Sequence, residues 1–295
     1  MNIVIIGFGE LGKKYFKILK KYKKINISII EKKKQSSKIK FYEHVKFLPR
    51  SKNYYLLIIC TPPKERLKIF KSIDGLKIEN IICEKPIANS FNELKKINKI
   101  VNKNKIKIYT NYIRKFINEF QYLNKLINSK KFGKPVIGHF YYSKGIYYNG
   151  VHFLSYVLDI FGKPNSVKLI SKKQNLKNDY LCNFILRYNK FVIYFLSFDI
   201  NKVASINFDL FLSNGKIEVN LEREYKLYKI NKNKLIKNIN QFTLFKKSKI
   251  NYLKGYSNLI KKIIFKKNYK DKNKIGFQTN DYNLYSLINK ILKKN

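Results

Sequence analysis

The chain has 295 residues, 45% of them hydrophobic, with 63 lysines and arginines against 18 acids for a formal net charge of +45. That apolar share fills one or two full cores and excludes a disordered tail, while the lack of any apolar run of about eighteen residues excludes a membrane-spanning helix. Cys60, Cys83 and Cys182 are too few and too dispersed for a disulfide framework or a zinc site, so buried free thiols and no metal are expected.

The chain opens MNIVIIGFG, without the charged region and cleavage site of a secretory signal, and a soluble cytoplasmic protein is expected. Residues 2–6 form a continuous apolar strand, followed by Gly7-Phe8-Gly9-Glu10-Leu11-Gly12 and an amphipathic helix, KKYFKILKKYKK. The spacing G-x-G-x-x-G after a strand and before a helix fits a dinucleotide. Gly7 permits the tight turn, Gly9 admits the pyrophosphate to the backbone, and Gly12 lets helix and strand approach closely. The helix amino terminus would turn its free N–H groups toward the phosphates. A second strand, 26–30, ends in Glu31, nineteen residues after Gly12, where such a fold places the acid that accepts from the adenosine ribose. Glu31 favours NAD over NADP, although Lys32, Lys33 and Lys34 behind it are suited to an extra phosphate.

A strand at 54–60 runs into Thr61-Pro62-Pro63 and a helix at 64–73, and a strand at 80–83 runs into Glu84-Lys85-Pro86. Proline restricts the residue before it to extended geometry, so Lys85 leaves its strand in a defined direction. A helix at 90–102 and a strand at 105–111 complete an alternation that predicts a doubly wound parallel sheet, with ligands at the carboxyl ends of the strands. The glycine motif, Glu31, Thr61-Pro62-Pro63 and Lys85 all fall at those ends and are expected to line one crevice.

After about Arg114 the pattern changes. A helix at 117–129 and a strand at 135–142 precede a glycine turn at Asn149-Gly150 and a short helix ending at Gly162. Strands are expected at 166–171, 180–188, 191–198, 205–213 and 216–221, with hairpin turns at 188–190 and 214–215. Helices return at 253–265 and 281–292, with a lysine- and asparagine-rich loop between them. The expected division is a dinucleotide-binding domain, 1–113, and an α+β domain with a large, mostly antiparallel sheet, 114–295, for substrate binding and oligomerisation.

The charge invites a nucleic-acid reading, but only five of the basic residues are arginine, whose planar fork usually reads phosphates and bases. Lysine, asparagine, isoleucine, tyrosine and phenylalanine share A/T-rich codons, so genome composition accounts for the excess, and neither a nucleic-acid nor a membrane partner is expected. Among three histidines, His152 follows the glycine turn, with Ser155 and Asp159 on its side of the helix, while His44 and His139 read as structural or surface residues.

In these motifs the chain resembles the glucose-fructose oxidoreductase, inositol dehydrogenase and rhizopine catabolism family, Gfo/Idh/MocA. The resemblance rests on GFGELG at 7–12, CTPP at 60–63, CEKPIA at 83–88, NYIRKF around Arg114, FGKPVIG at 132–138 and NGVHFLSYVLDIFG at 149–162. It implies an NAD(P)-dependent oxidoreductase acting on a secondary alcohol or ketone of a sugar, cyclitol or nucleotide sugar, in a homo-oligomer packed through the open sheet. The lysines tilt the substrate toward diphosphate-bearing precursors of surface polysaccharide. Lys85 then matches the catalytic lysine and His152 the second acid/base residue. The cofactor residues implied are Gly7, Phe8, Gly9, Glu10, Leu11, Gly12, Glu31, Thr61, Pro62, Glu84 and Lys85, and the substrate residues Tyr112, Arg114, Tyr148, Asn149 and His152. The chain departs from the family where aspartates often stand four residues before and three after this histidine. It has Tyr148 and Ser155 there, and Arg66 where a histidine is common. These departures motivate a second expectation, a dinucleotide-binding sensor or complex subunit without turnover.

Overall fold

The computed structural model describes residues 1–32, 39–176, 179–199, 206–220, 223–232, 239–265, 276–277 and 281–293. Lys33 and Lys34, residues 177–178, the start of the strand expected from 205, the end of the one expected to 221 and nearly all of the loop expected after 265 lie outside them.

In chain order the first elements are β1 (Asn2–Ile6), α1 (Glu10–Leu19), β2 (Asn26–Ile30), β3 (Lys40–Tyr42), β4 (Asn53–Ile59), α2 (Pro63–Ser72), β5 (Lys77–Glu84), α3 (Phe91–Lys103) and β6 (Lys107–Asn111). They are followed by α4 (Asn118–Asn128), β7 (Pro135–Tyr142) and α5 (Val151–Phe161), then by β8 (Ser166–Leu176), β9 (Asp179–Arg187), β10 (Val192–Ser197), β11 (Ile206–Leu212) and β12 (Gly215–Asn220). The chain closes with β13 (Glu224–Lys232), β14 (Asn240–Lys249), α6 (Tyr252–Ile264), β15 (Gly276–Phe277) and α7 (Asp281–Lys293). The chain divides into two compact units, Met1–Ile113 with Tyr256–Tyr285, and Arg114–Gly255 with Ser286–Asn295.

The first unit is a seven-stranded sheet in the order β15-β6-β5-β4-β1-β2-β3, every pair parallel. A parallel sheet covered on both faces needs strands that are apolar throughout, and Ile3, Ile5, Leu56 to Ile59, Ile81 and Ile82 are fully buried. Helix α3 begins where the Ser90 side chain accepts the Glu93 N–H at 3.2 Å, a cap that a serine three residues before a glutamate predicts. Tyr256–Tyr285 was expected in the second domain. Here it packs in the first unit, because Tyr55 donates to the Ile263 carbonyl at 2.7 Å, Tyr285 donates to the Ala88 carbonyl at 2.8 Å, and Asp281 accepts from Thr110 at 2.8 Å.

The second unit carries an eight-stranded sheet, β14-β13-β12-β11-β7-β10-β9-β8, antiparallel at every pairing except β7 with β10. Its core is a stack of phenylalanines. Phe140 lies 4.8 Å from Phe208 and 5.2 Å from Phe195, and Phe153 of α5 meets Phe140 edge-on at 4.9 Å. Strands β13 and β14 were not expected from the sequence, since their outward residues are mostly lysines and polar groups that dilute the alternation. The glycine turn expected before α5 is instead a turn of π-helix, Ile146–Gly150, with Gly150 in right-handed helical geometry, so His152 sits inside a longer helical segment. Among the described residues no helix is long and apolar enough to cross a membrane, and no cluster of histidine, cysteine, aspartate and glutamate has metal-binding geometry.

Candidate functional site

A cleft of about 520 Å³ opens at the carboxyl ends of β1, β2 and β4 in the first unit. Its lining includes Gly7 and Gly9, Glu31, Cys60, Thr61 and Pro62, together with Glu43 and His44. Gly7 has φ of +89°, a conformation that costs glycine little and other residues much. At Gly12 a Cβ would run into the Gly7 carbonyl oxygen, so the helix approaches the strand only with no side chain there. Helix α1 starts at Glu10, directly on the motif, and its N-cap, Gly9, supplies no side-chain bond. Its first N–H groups therefore lack a side-chain cap, the arrangement that binds phosphate.

Glu31 folds back onto the glycine loop. One carboxylate oxygen accepts the Phe8 N–H at 2.8 Å and the other the Lys32 N–H at 2.9 Å. The hydroxyl of Thr61 is buried without a hydrogen-bond partner among the described residues, and its methyl group lies against Gly7. A glycine cradle, an uncapped helix start, a carboxylate at the end of β2 and an unmatched hydroxyl together fit a dinucleotide.

Lys85 does not line this cleft, contrary to the single crevice expected from the sequence. It follows β5, one strand beyond β4 on the same edge of the sheet, where β5 ends at Glu84. The fold connects the two places through Arg66, a buried guanidinium that donates to the Thr61 carbonyl from Nε at 3.0 Å and from Nη2 at 2.8 Å. Its Nη1 donates to the carbonyls of Glu84 and Pro86, on either side of Lys85. The Glu84 carboxylate is buried beneath, accepting from Tyr15 at 3.0 Å and Asn111 at 2.7 Å. Burial pushes its pKa up, opposed by those two hydrogen bonds and by Arg66. The same burial, reinforced by Glu84, holds the Tyr15 phenol well above its ordinary range. Phe8, Glu10, Leu11 and Gly12 shape the loop and helix start without forming the cleft wall.

In the second unit, His152 is buried on α5, whose residues from Val151 to Leu158 are all buried. Asn149 and Ser155 stand three residues before and after it. The Asn149 amide nitrogen and the Ser155 hydroxyl are buried with no hydrogen-bond partner among the described residues. Unmatched buried donors are costly, and two of them in one helical segment mark a place where a ligand would satisfy them. Arg114 is also buried, its guanidinium 5.9 Å from the ring centroids of Phe153 and Tyr252. Asp159 pairs with Lys115 at 2.7 Å. Tyr148 is 49% exposed, its N–H donates to Asp179 at 2.9 Å, and the Lys144 ammonium lies 5.8 Å from its ring centroid. Tyr112 differs from its expected substrate role, because it is buried in the first unit and its hydroxyl donates to Asp281 at 2.9 Å. Sequence reasoning missed Glu43 and His44. His44 caps a 3-10 turn by accepting the Lys46 N–H at 3.1 Å and also lines the cleft, and the three-residue strand before it left too short a pattern to read.

Residues 1–112 match the family described as Gfo/Idh/MocA, oxidoreductase family, NAD-binding Rossmann fold. Those residues are similar to the NAD-binding domain of that oxidoreductase family. No curated protein matches the chain. Solved structures extend the similarity to the whole length. A dehydrogenase from Chromobacterium violaceum is 12% identical, with a TM-score of 0.78 over 99% of this chain and 94% of that one. An oxidoreductase from Bacillus cereus is 14% identical, with a TM-score of 0.74 over 100% and 96%. An oxidoreductase from Agrobacterium radiobacter, solved with NAD+, L-tartaric acid and magnesium, is 14% identical, with a TM-score of 0.72 over 98% and 94%. At such identities the likeness is one of fold.

Proposed function

We propose that the protein transfers hydride between NAD and a secondary alcohol or ketone of a polyhydroxylated substrate: a sugar, a cyclitol or a nucleotide sugar. The observation that carries this reading is the cleft whose glycine cradle and uncapped helix start adjoin Glu31 and Thr61. In that cleft α1 and the loop 7–12 hold the pyrophosphate, and Glu31 accepts from the adenosine ribose in preference to a 2′-phosphate. NAD, when bound, supplies the hydride acceptor. Lys85 acts as the acid/base group: as an amine it takes the hydroxyl proton when the alcohol is oxidised, and as an ammonium it polarises the carbonyl in reverse. His152 is the second acid/base residue, and Asn149, Ser155 and Arg114 bind substrate hydroxyls. The tartrate in the Agrobacterium structure, a small polyhydroxylated acid, agrees with that substrate class. The net charge of +45 favours an anionic substrate such as a nucleotide sugar.

The test is a panel of free sugars, inositols and UDP- and GDP-sugars offered to the purified protein with NAD. Formation of NADH with at least one member supports the reading. Tight NAD binding with no turnover across the panel favours a dinucleotide sensor instead.

A further inference from the structure

Asp179, the first residue of β9, falls outside every motif in the sequence, yet it holds the helical segment that carries the unmatched donors. Its buried carboxylate accepts the Tyr147 N–H at 3.0 Å, the Tyr148 N–H at 2.9 Å and the Tyr180 N–H at 2.8 Å. A helix leaves its first N–H groups without carbonyl partners, and here the residue at the cap, Gly145, has no side chain to meet them. A carboxylate delivered from a strand fills that role and sits at the positive end of the helix dipole.

The segment it caps is a π turn running directly into α5. The Gly145 carbonyl accepts from Asn149 at 3.0 Å and from Gly150 at 3.1 Å, so one acceptor serves both the α and the wider π spacing. The two spacings place downstream side chains at different angles about the axis, and π turns concentrate at functional sites. Gly145 has φ of +100°, and a Cβ on it would collide with the Asp179 carboxylate. Carboxylate and bare glycine are thus fitted to one another.

We propose that Asp179 is a positioning residue, which fixes the π turn and so sets the direction in which Asn149, His152 and Ser155 present their polar groups. The ligand-binding role of those residues rests on the function proposed above; the anchoring does not.

The experiment is NMR of protein labelled in its three histidine rings, His44, His139 and His152, with Asp179→Asn and Gly145→Ala compared with the unsubstituted chain. In both variants the His152 resonances move while those of His44 and His139 stay, and the NAD dissociation constant remains within about twofold. Polyol oxidation falls on the order of 100-fold, the usual effect of a small misplacement of reacting groups. A folded Asp179→Asn with His152 unmoved overturns the proposal. Should neither variant fold, hydrogen exchange of the unsubstituted protein decides. Slow exchange of the Tyr147 and Tyr148 amides supports the anchor, and exchange at the rate of exposed amides removes it. None of the magnetic-resonance readouts needs substrate, so a protein that passes them without oxidising any polyol sinks the oxidoreductase reading alone.

Discussion

The Glu31 carboxylate accepts the backbone N–H of Phe8, 2.8 Å away, so the acid at the end of β2 is tied to the glycine loop before any cofactor arrives. Glu31→Ala removes both the ribose acceptor and this tie. The NAD dissociation constant should rise about 10-fold, equivalent to ~1.4 kcal/mol, in a fluorescence titration. NADP affinity should rise or stay level, since the charge that repels its extra phosphate is gone. Equal losses for both cofactors would show that Glu31 only braces the loop.

Gly12 has no room for a methyl group because the Gly7 carbonyl occupies the place. Gly12→Ala should lower stability by ~1–3 kcal/mol, the usual cost of overpacking, and weaken NAD binding by pushing α1 off the loop. Chemical denaturation and the same titration measure the two effects. Gly9, with nothing near its Cβ position, should tolerate alanine in the free protein and show the substitution only in NAD binding.

Much of the first unit was legible because a parallel sheet buried on both faces writes its strands as unbroken apolar runs, and the glycine spacing then marks the loop after β1. What remained hidden depends on contacts between distant residues. The buried position of Arg66 becomes intelligible only when the carbonyls of Thr61, Glu84 and Pro86 surround it. Asp179 is an ordinary strand-start residue until Tyr147 and Tyr148 fold against it. The expected crevice failed at Lys85 for a similar reason: strand ends on one edge of a sheet are alike in sequence, whereas which of them face one cavity depends on how the chain leaves each strand.

Glu84 gives a pH dependence of stability. Its folded pKa is raised, chiefly by burial, so the native state binds that proton more tightly than the unfolded chain does. The burial cost is present at pH above the folded value and disappears as pH falls through it. Glu84→Gln keeps an acceptor oxygen for Tyr15 and Asn111 but carries no charge. Urea midpoints should show the variant gaining stability relative to the parent at pH 8 and losing that advantage by pH 4. An advantage that grows toward acid would mean the carboxylate is favoured by its surroundings.

Burial drives the thiols of Cys83 and Cys182 up to about 12 and that of Cys60 well above its ordinary value. At pH 8 a thiol of pKa 12 is about one part in ten thousand thiolate, the form that reacts. A thiol reagent added to native protein at pH 8 should therefore react slowly, with the full yield of three appearing only on unfolding. Rapid labelling of Cys60 that NAD suppresses would place that residue's sulfur at the cofactor surface.

The most direct test of the account separates cofactor binding from chemistry at Lys85. With the best substrate from the sugar and inositol panel, Lys85→Ala should bind NAD with unchanged affinity while NADH formation falls at least 1,000-fold, roughly 4 kcal/mol of transition-state stabilisation. Turnover within a few fold of the parent, or loss of NAD binding together with turnover, would contradict the role given to Lys85.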